Sequence, residues 1–202
     1  MKPSKSTVFW SLTYAFLLAL LAMGCSYFIP TSTLSIPSSN QPTITPALIQ
    51  TYFPKQEQHP EEVLIQLYNN SKTTLDIAIY SLTYPKIVES IVQAKKRGVE
   101  VRVISDKIQA AGNTQKHAIN TLLEVGIKVK INTHSGLMHL KMSLIDKIIA
   151  TTGSYNYTAN ATDNSDEMLV VIQDGKFINE CQTEFDRIWN NNLKYTWAVR
   201  SY

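Results

Sequence analysis

Six side chains in the C-terminal half of this chain have the chemistry to bind and attack a tetrahedral oxyanion: His139, Lys141, Asp146, Ser154, Asn156 and Glu167. Five of them fall in one stretch, HLKMSLIDKIIATTGSYN, running from His139 to Asn156. Side chains on a strand alternate between faces. In Met138–Leu144 the residues His139, Lys141 and Ser143 therefore share one face, and Met138, Leu140, Met142 and Leu144 share a wholly apolar one. One face belongs to a core; the other presents an imidazole beside an ammonium. A tight turn at Asp146-Lys147 would return the chain as a second strand and bring Ser154 and Asn156 to the same place.

Lys141, Ser154 and Asn156 could neutralise and orient phosphoryl oxygens, while His139 attacks phosphorus or moves a proton. A histidine nucleophile needs a bare attacking nitrogen, so a carboxylate on its other nitrogen would fix the tautomer. Glu167, at the start of a later expected strand, is the candidate for that carboxylate. Asp146 sits in the expected turn, where it either bonds the turn backbone or takes part in catalysis. Six residue types at fixed offsets, each at about 5% frequency, recur by chance roughly once in 10⁵ sequences of this size. No metal site is expected: His134 and His139 have opposite strand parity, His59 and His117 are isolated, and no Cys/His cluster has ligand spacing.

The elements that must position these groups are legible as alternating periods. Thr74–Tyr80 and Val99–Ile104 are β-branched runs of strand length, separated by a helical stripe from Ile87 to Arg97 that Gly98 stops. A helix capped by Asn113 and ended by Gly126 precedes a strand over Ile127–Ile131. Met138–Ile145 and Ile148–Thr152 form the hairpin, Glu167–Ile172 a further strand, and Asp174–Trp189 an amphipathic closing helix. Such alternation predicts an α/β fold with helices on both faces of a mixed sheet. No internal repeat is present, so the chain carries one copy of the site.

With 202 residues, 44% apolar and 17% charged, the chain holds one globular domain of ordinary size. Its formal charge of +3 falls to +1 once Lys2 and Lys5 of a targeting segment are set aside, since 17 basic then face 16 acidic residues. Charge is unevenly spread: Lys95–Lys147 holds ten Lys or Arg against four acids, whereas Asp163–Arg187 holds seven acids against two bases. A basic centre suits a polyanionic ligand, and equally suits solvated helix faces.

Residues 1–25 have a cationic start and an apolar run, the form of a signal peptide, a lipoprotein signal ending at Cys25, or a membrane anchor. Uncut, Val8–Ile29 provides 22 residues, enough to span a bilayer. Each outcome places the remainder outside the cytoplasm, exported and held at or released from the cell envelope. Residues 26–49 form an uncharged linker rich in Ser, Thr and Pro, and residues 50–195 the folded domain. The two cysteines, Cys25 and Cys181, are expected not to pair; Cys181 is expected to be buried and free.

Read on His139, Lys141, Asp146, Gly153, Ser154 and Asn156, the pattern H-x-K-x4-D-x6-G-S-x-N resembles the HKD motif of the phospholipase D superfamily. Tyr52-Phe-Pro54, Leu75–Thr83, Ala94–Ile104 and Glu184–Trp189 resemble the short, single-motif bacterial nuclease branch, and Glu167 falls where that branch has its downstream acid. The resemblance implies an α/β/α sandwich and a phosphodiesterase that needs no metal or cofactor. It also implies a homodimer, in which His139 of one subunit forms a phosphohistidine and His139 of the other serves the leaving group. The expected substrate is DNA or RNA, cut without base preference. Cardiolipin-like phospholipid is the alternative substrate, and an inert nucleic-acid-binding envelope protein the alternative role.

Overall fold

The computed structural model describes Leu48 to Arg200. The expected signal or anchor over 1–25, and the linker as far as residue 47, lie outside the described residues. Leu48 and Ile49, assigned above to the linker, already form strand, and ordered backbone continues past residue 195. No helix among the described residues is long and apolar enough to cross a membrane.

Eight strands make one mixed sheet: β1 (Leu48–Tyr52), β2 (Thr74–Ile79), β3 (Glu100–Ser105), β4 (Lys128–Asn132), β5 (Lys141–Ile145), β6 (Ile149–Gly153), β7 (Leu169–Gln173) and β8 (Tyr195–Trp197). Their spatial order is β1-β7-β6-β5-β2-β3-β4-β8. Strands β2, β3 and β4 run parallel, joined by helical crossovers; β5, β6, β7 and β1 pair antiparallel in succession, as does β8 on β4. The helices are α1 (Pro60–Asn70), α2 (Pro85–Lys96), α3 (Lys107–Ala111), α4 (Asn113–Glu124), α5 (Ala159–Asp163) and α6 (Gly175–Trp189).

Local chemistry accounts for the boundaries. Proline begins α1 and α2, where its missing N–H costs nothing. Gly98 (φ +94°) and Gly126 (φ +76°) supply the left-handed residue after α2 and α4. Asp174 caps α6 by accepting from the Phe177 N–H at 2.7 Å. Asn113 proves to be the first helical residue of α4 rather than its cap; Gly112 precedes it. The β5–β6 turn has positive φ at both Asp146 (+53°) and Lys147 (+58°), the geometry whose twist suits a two-residue hairpin.

The sheet has two cores, one per face. Leu75, Ile77 and Ile79 of β2 pack with Leu64 of α1, Ile91 of α2 and Leu122 of α4. On the opposite face Ala78, Met142 and Leu144 meet Ile178, Phe185 and Ile188 of α6. The result is the expected α/β/α sandwich. Arg102 on β3 ties α6 down, donating to Asp76 on β2 at 2.6 and 2.7 Å and to Asp186 on α6 at 2.9 Å. Cys181 on α6 is a free thiol, half-buried rather than buried.

Candidate active site

Antiparallel and parallel pairing together bring five chain ends to one end of the sheet. These are the C-terminal ends of β2, β3 and β6 and the N-terminal ends of β5 and β7. Ligands of open α/β sheets bind beyond the carboxyl ends of the parallel strands. His139, Lys141, Ser154, Asn156 and Glu167 all belong to this end.

His139 lies two residues before β5, outside the regular strand that the sequence predicts from Met138, and is exposed. Its approach is fixed by Asp106, a fully buried residue after β3. One Asp106 oxygen caps α3 through the N–H of Ile108 (2.8 Å) and Gln109 (3.3 Å); the other accepts from the Met138 N–H at 2.9 Å. Met138 is buried in the α6-side core as parity requires, while Leu140, expected on the same apolar face, is 37% exposed because regular pairing has not yet begun.

Lys141 is only 7% exposed, on the first residue of β5. Its Nζ lies 3.0 Å from His139 Nδ1, 3.1 Å from His139 Nε2 and 3.0 Å from the His139 carbonyl. A neutral imidazole has one bare nitrogen, and here either tautomer accepts from the ammonium. Burial holds the Lys141 ammonium below the usual lysine range, and the nearby Glu167 carboxylate opposes that shift. Tyr80, directly after β2, covers both side chains: its ring centroid is 4.5 Å from the His139 ring and 5.0 Å from Lys141 Nζ.

Gly153 closes β6 with φ +133°, and a β-carbon there would stand 2.0 Å from the Met168 carbonyl oxygen. No other residue fits. The N–H groups of Ser154 (3.1 Å) and Tyr155 (3.3 Å) both donate to that same carbonyl, and Met168 N–H returns a bond to Ser154 Oγ at 3.1 Å. Two consecutive residues thus oppose one, a bulge that turns the chain out of the sheet at the site. Asn156 follows, with its side-chain oxygen buried and without a hydrogen-bond partner among the described residues.

Two expected site residues stand differently. Glu167 is half-buried in the segment before β7, rather than on a strand, and makes no hydrogen bond to His139; it acts electrostatically on Lys141. Asp146 is at the opposite end of the sheet. Its carboxylate accepts from the N–H groups of Lys72 (2.9 Å), Thr73 (2.7 Å) and Thr74 (3.0 Å) and from Thr73 Oγ1 (2.9 Å). It lies seven residues along an extended chain from His139, about 23 Å at roughly 3.3 Å per residue. Of the two roles open to Asp146, the geometry gives the one in the turn backbone.

Sequence reasoning missed Asp106, Tyr80 and the residues that hold Tyr80. Gln115 on α4 donates to the Tyr80 carbonyl (3.2 Å) and Ser105 Oγ (2.8 Å) and accepts from the Leu82 N–H (2.8 Å). Gln109 donates to the Tyr80 hydroxyl at 2.9 Å, so the Gln109–Asn113 segment is a helix junction that touches the site. A signal existed for Gln115: it is a polar residue on the inward stripe it shares with Ala118, Ile119 and Leu122. The basic centre also thins in three dimensions. Arg102 and Lys130 spend their charge inward, on Asp76 and Trp189 O (2.5 Å), and the exposed Arg97 donates to Tyr68 O at 2.6 Å.

A histidine, a buried lysine and a Gly-Ser-x-Asn bulge gathered at one end of this sheet define a phospholipase D-like domain. The chain belongs to that family: the family described as "Cardiolipin synthase, PLD-like domain" matches residues 64–189. The human mitochondrial cardiolipin hydrolase is 32% identical over 143 residues, covering 68% of this chain and 56% of the relative. The Chlamydomonas reinhardtii protein of the same name is 34% identical over 117 residues, covering 58% of this chain and 52% of its own length. The chain thus spans about half the length of these relatives. The crystal structure of Nuc, a phospholipase D family member from Salmonella typhimurium, superposes with a TM-score of 0.70 at 25% identity, over 77% of this chain and all of that one. NucT from Helicobacter pylori has the same fold, with a TM-score of 0.63 at 23% identity.

Proposed function

We propose that this protein is a phosphodiesterase, an endonuclease that hydrolyses DNA or RNA without a metal, through a phosphohistidine on His139, at a site shared by two copies of the chain. The observation that carries the reading is the exposed His139 imidazole with the Lys141 ammonium 3.0 Å from it, present once per chain. In-line displacement needs a nucleophile on one side of phosphorus and a proton donor on the other. One histidine occupies one side; a second copy supplies the other, in the twofold arrangement commonest among oligomers.

In the first step the His139 nitrogen lone pair forms the N–P bond as the P–O bond to the leaving sugar breaks. That oxygen takes its proton from His139 of the partner subunit. In the second, the partner's His139 removes a proton from water, whose oxygen displaces the imidazole and restores the enzyme. Lys141, Ser154 and Asn156 serve the phosphoryl oxygens, and Glu167 favours the charged form of Lys141. The N-terminal residues 1–25 would hold the enzyme at the outer side of a bacterial membrane or release it there.

Cardiolipin-like phospholipid is the second reading, supported by the name of the sequence relatives. The match to Nuc, which covers all of that chain, supports the nuclease. Nicking of plasmid DNA, compared with release of a soluble head group from vesicles, separates the two. Chelator should leave nicking intact; abolition by EDTA overturns the metal-free mechanism. Mixing wild-type with His139→Ala subunits should titrate activity away, and full activity from a strict monomer refutes the shared site.

A further inference from the structure

We infer that the cleft beside Ser154 is a subsite for one nucleobase next to the scissile phosphate; this rests on the nuclease reading above. The cleft holds about 340 Å³ between the turn after β1 and the segment before β7. That is at the small end of ligand sites, with room for a single planar group rather than a stacked run. Phe53 from one side and Met168 from the other supply apolar walls, and Asp166 and Glu167 line the cleft with them. Ser154 joins the cleft to the oxyanion site, since it follows Gly153 at the mouth of β6 and binds Met168 through both its N–H and its hydroxyl.

The lining selects the ligand. A second phosphate would meet two carboxylates, and the one ammonium at the cleft, Lys55, already donates to the Asp163 carbonyl at 3.0 Å. An uncharged base meets an aromatic ring on which to stack. Neither Asp166 nor Glu167 makes a hydrogen bond or ion pair with another described residue, so both can accept from an exocyclic amino group. Carboxylates accept well from cytosine N4, and thymine has the acceptor O4 in place of that amino group. The subsite therefore favours amino-bearing bases, and cleavage without base preference gives way to a modest bias.

The experiment uses the full chain and two probes: single-stranded oligo-dC or oligo-dT, and bis(p-nitrophenyl) phosphate, which carries no base. The ratio of kcat/KM for oligo-dC to that for the small diester serves as the readout, so that loss of folded enzyme cancels. Phe53→Ala should lower this ratio about tenfold and Phe53→Trp should preserve it. Asp166→Asn should narrow the dC-over-dT preference. Oligonucleotide cleavage with the ratio unchanged in Phe53→Ala, or with no dC-over-dT preference in the wild type, overturns the subsite alone. Wild-type hydrolysis of the small diester with no cleavage of any oligonucleotide overturns the nuclease reading, and the subsite with it. Vesicle head-group release that depends on Phe53 assigns the cleft to lipid and likewise overturns the proposal.

Discussion

Lys141 Nζ stands within 3.1 Å of both ring nitrogens of His139, two residues away on the same edge of the chain. The ammonium is nearly buried and the imidazole is exposed, so one side chain is a fixed charge and the other is free to meet substrate. Burial pushes the Lys141 ammonium down from the ordinary lysine value; Glu167 pushes it back up. Phosphate binding requires the charged form. The alkaline limb of kcat/KM is therefore expected below the ordinary lysine range, and Glu167→Gln should move it to lower pH still. A limb that stays in place in Glu167→Gln refutes the coupling.

Removal of Asp146 tests stability. Burial alone would raise its carboxyl pKa, but the N–H groups of Thr73, Thr74 and Lys72 and the Thr73 hydroxyl outweigh that and hold it below the usual aspartate value. The sign follows directly: a depressed folded-state pKa adds stability that is present above the unfolded value and is lost as pH falls through the folded one. Asp146→Ala should cost about 2 kcal/mol at pH 7, measured by urea unfolding, with the gap to wild type closing in acid. Its folded fraction should keep kcat within a few-fold. A hundredfold loss of kcat would restore Asp146 to the chemistry.

Substitution at the two ends of the β5–β6 hairpin should go in opposite directions. Lys147 has φ +58°, which glycine adopts without strain, so Lys147→Gly should raise stability by about 1 kcal/mol. Gly153→Ala must drive its β-carbon into the Met168 carbonyl oxygen at 2.0 Å. Soluble yield and activity should both collapse; a Gly153→Ala enzyme with normal kcat would contradict the bulge.

Gln115 should matter to catalysis at a distance. Gln115→Leu leaves the buried Leu82 N–H without its acceptor and frees Tyr80 from the helix. We expect a loss of about 1–3 kcal/mol in unfolding and a fall in kcat larger than any change in KM. Stability loss with kcat unchanged would make Gln115 a purely structural residue.

The elements were largely legible because both periods were strong. Buried runs such as Thr74–Ile79 and the α6 stripe read directly as strand and helix. β1 was missed because an edge strand with four exposed residues has no alternation to detect, and β8 because it is three residues long. The start of β5 was placed three residues early, at Met138, since the apolar alternation continues through a segment whose backbone is held by Asp106 rather than by a neighbouring strand.

By itself the sequence determined that this chain carries one histidine–lysine pair of the phospholipase D type, on a mixed sheet covered on both faces. Composition, period and spacing are local, and local order is enough to specify them. Tertiary structure alone decided which groups share the pocket. Asp146 bonds Lys72–Thr74, 72 to 74 residues away, and so leaves the site; Asp106 reaches 32 residues forward to Met138 and aims His139; Gln115 reaches 35 back to fix Tyr80. Such partners are chosen by strand order and register, which form through contacts that no stretch of sequence contains.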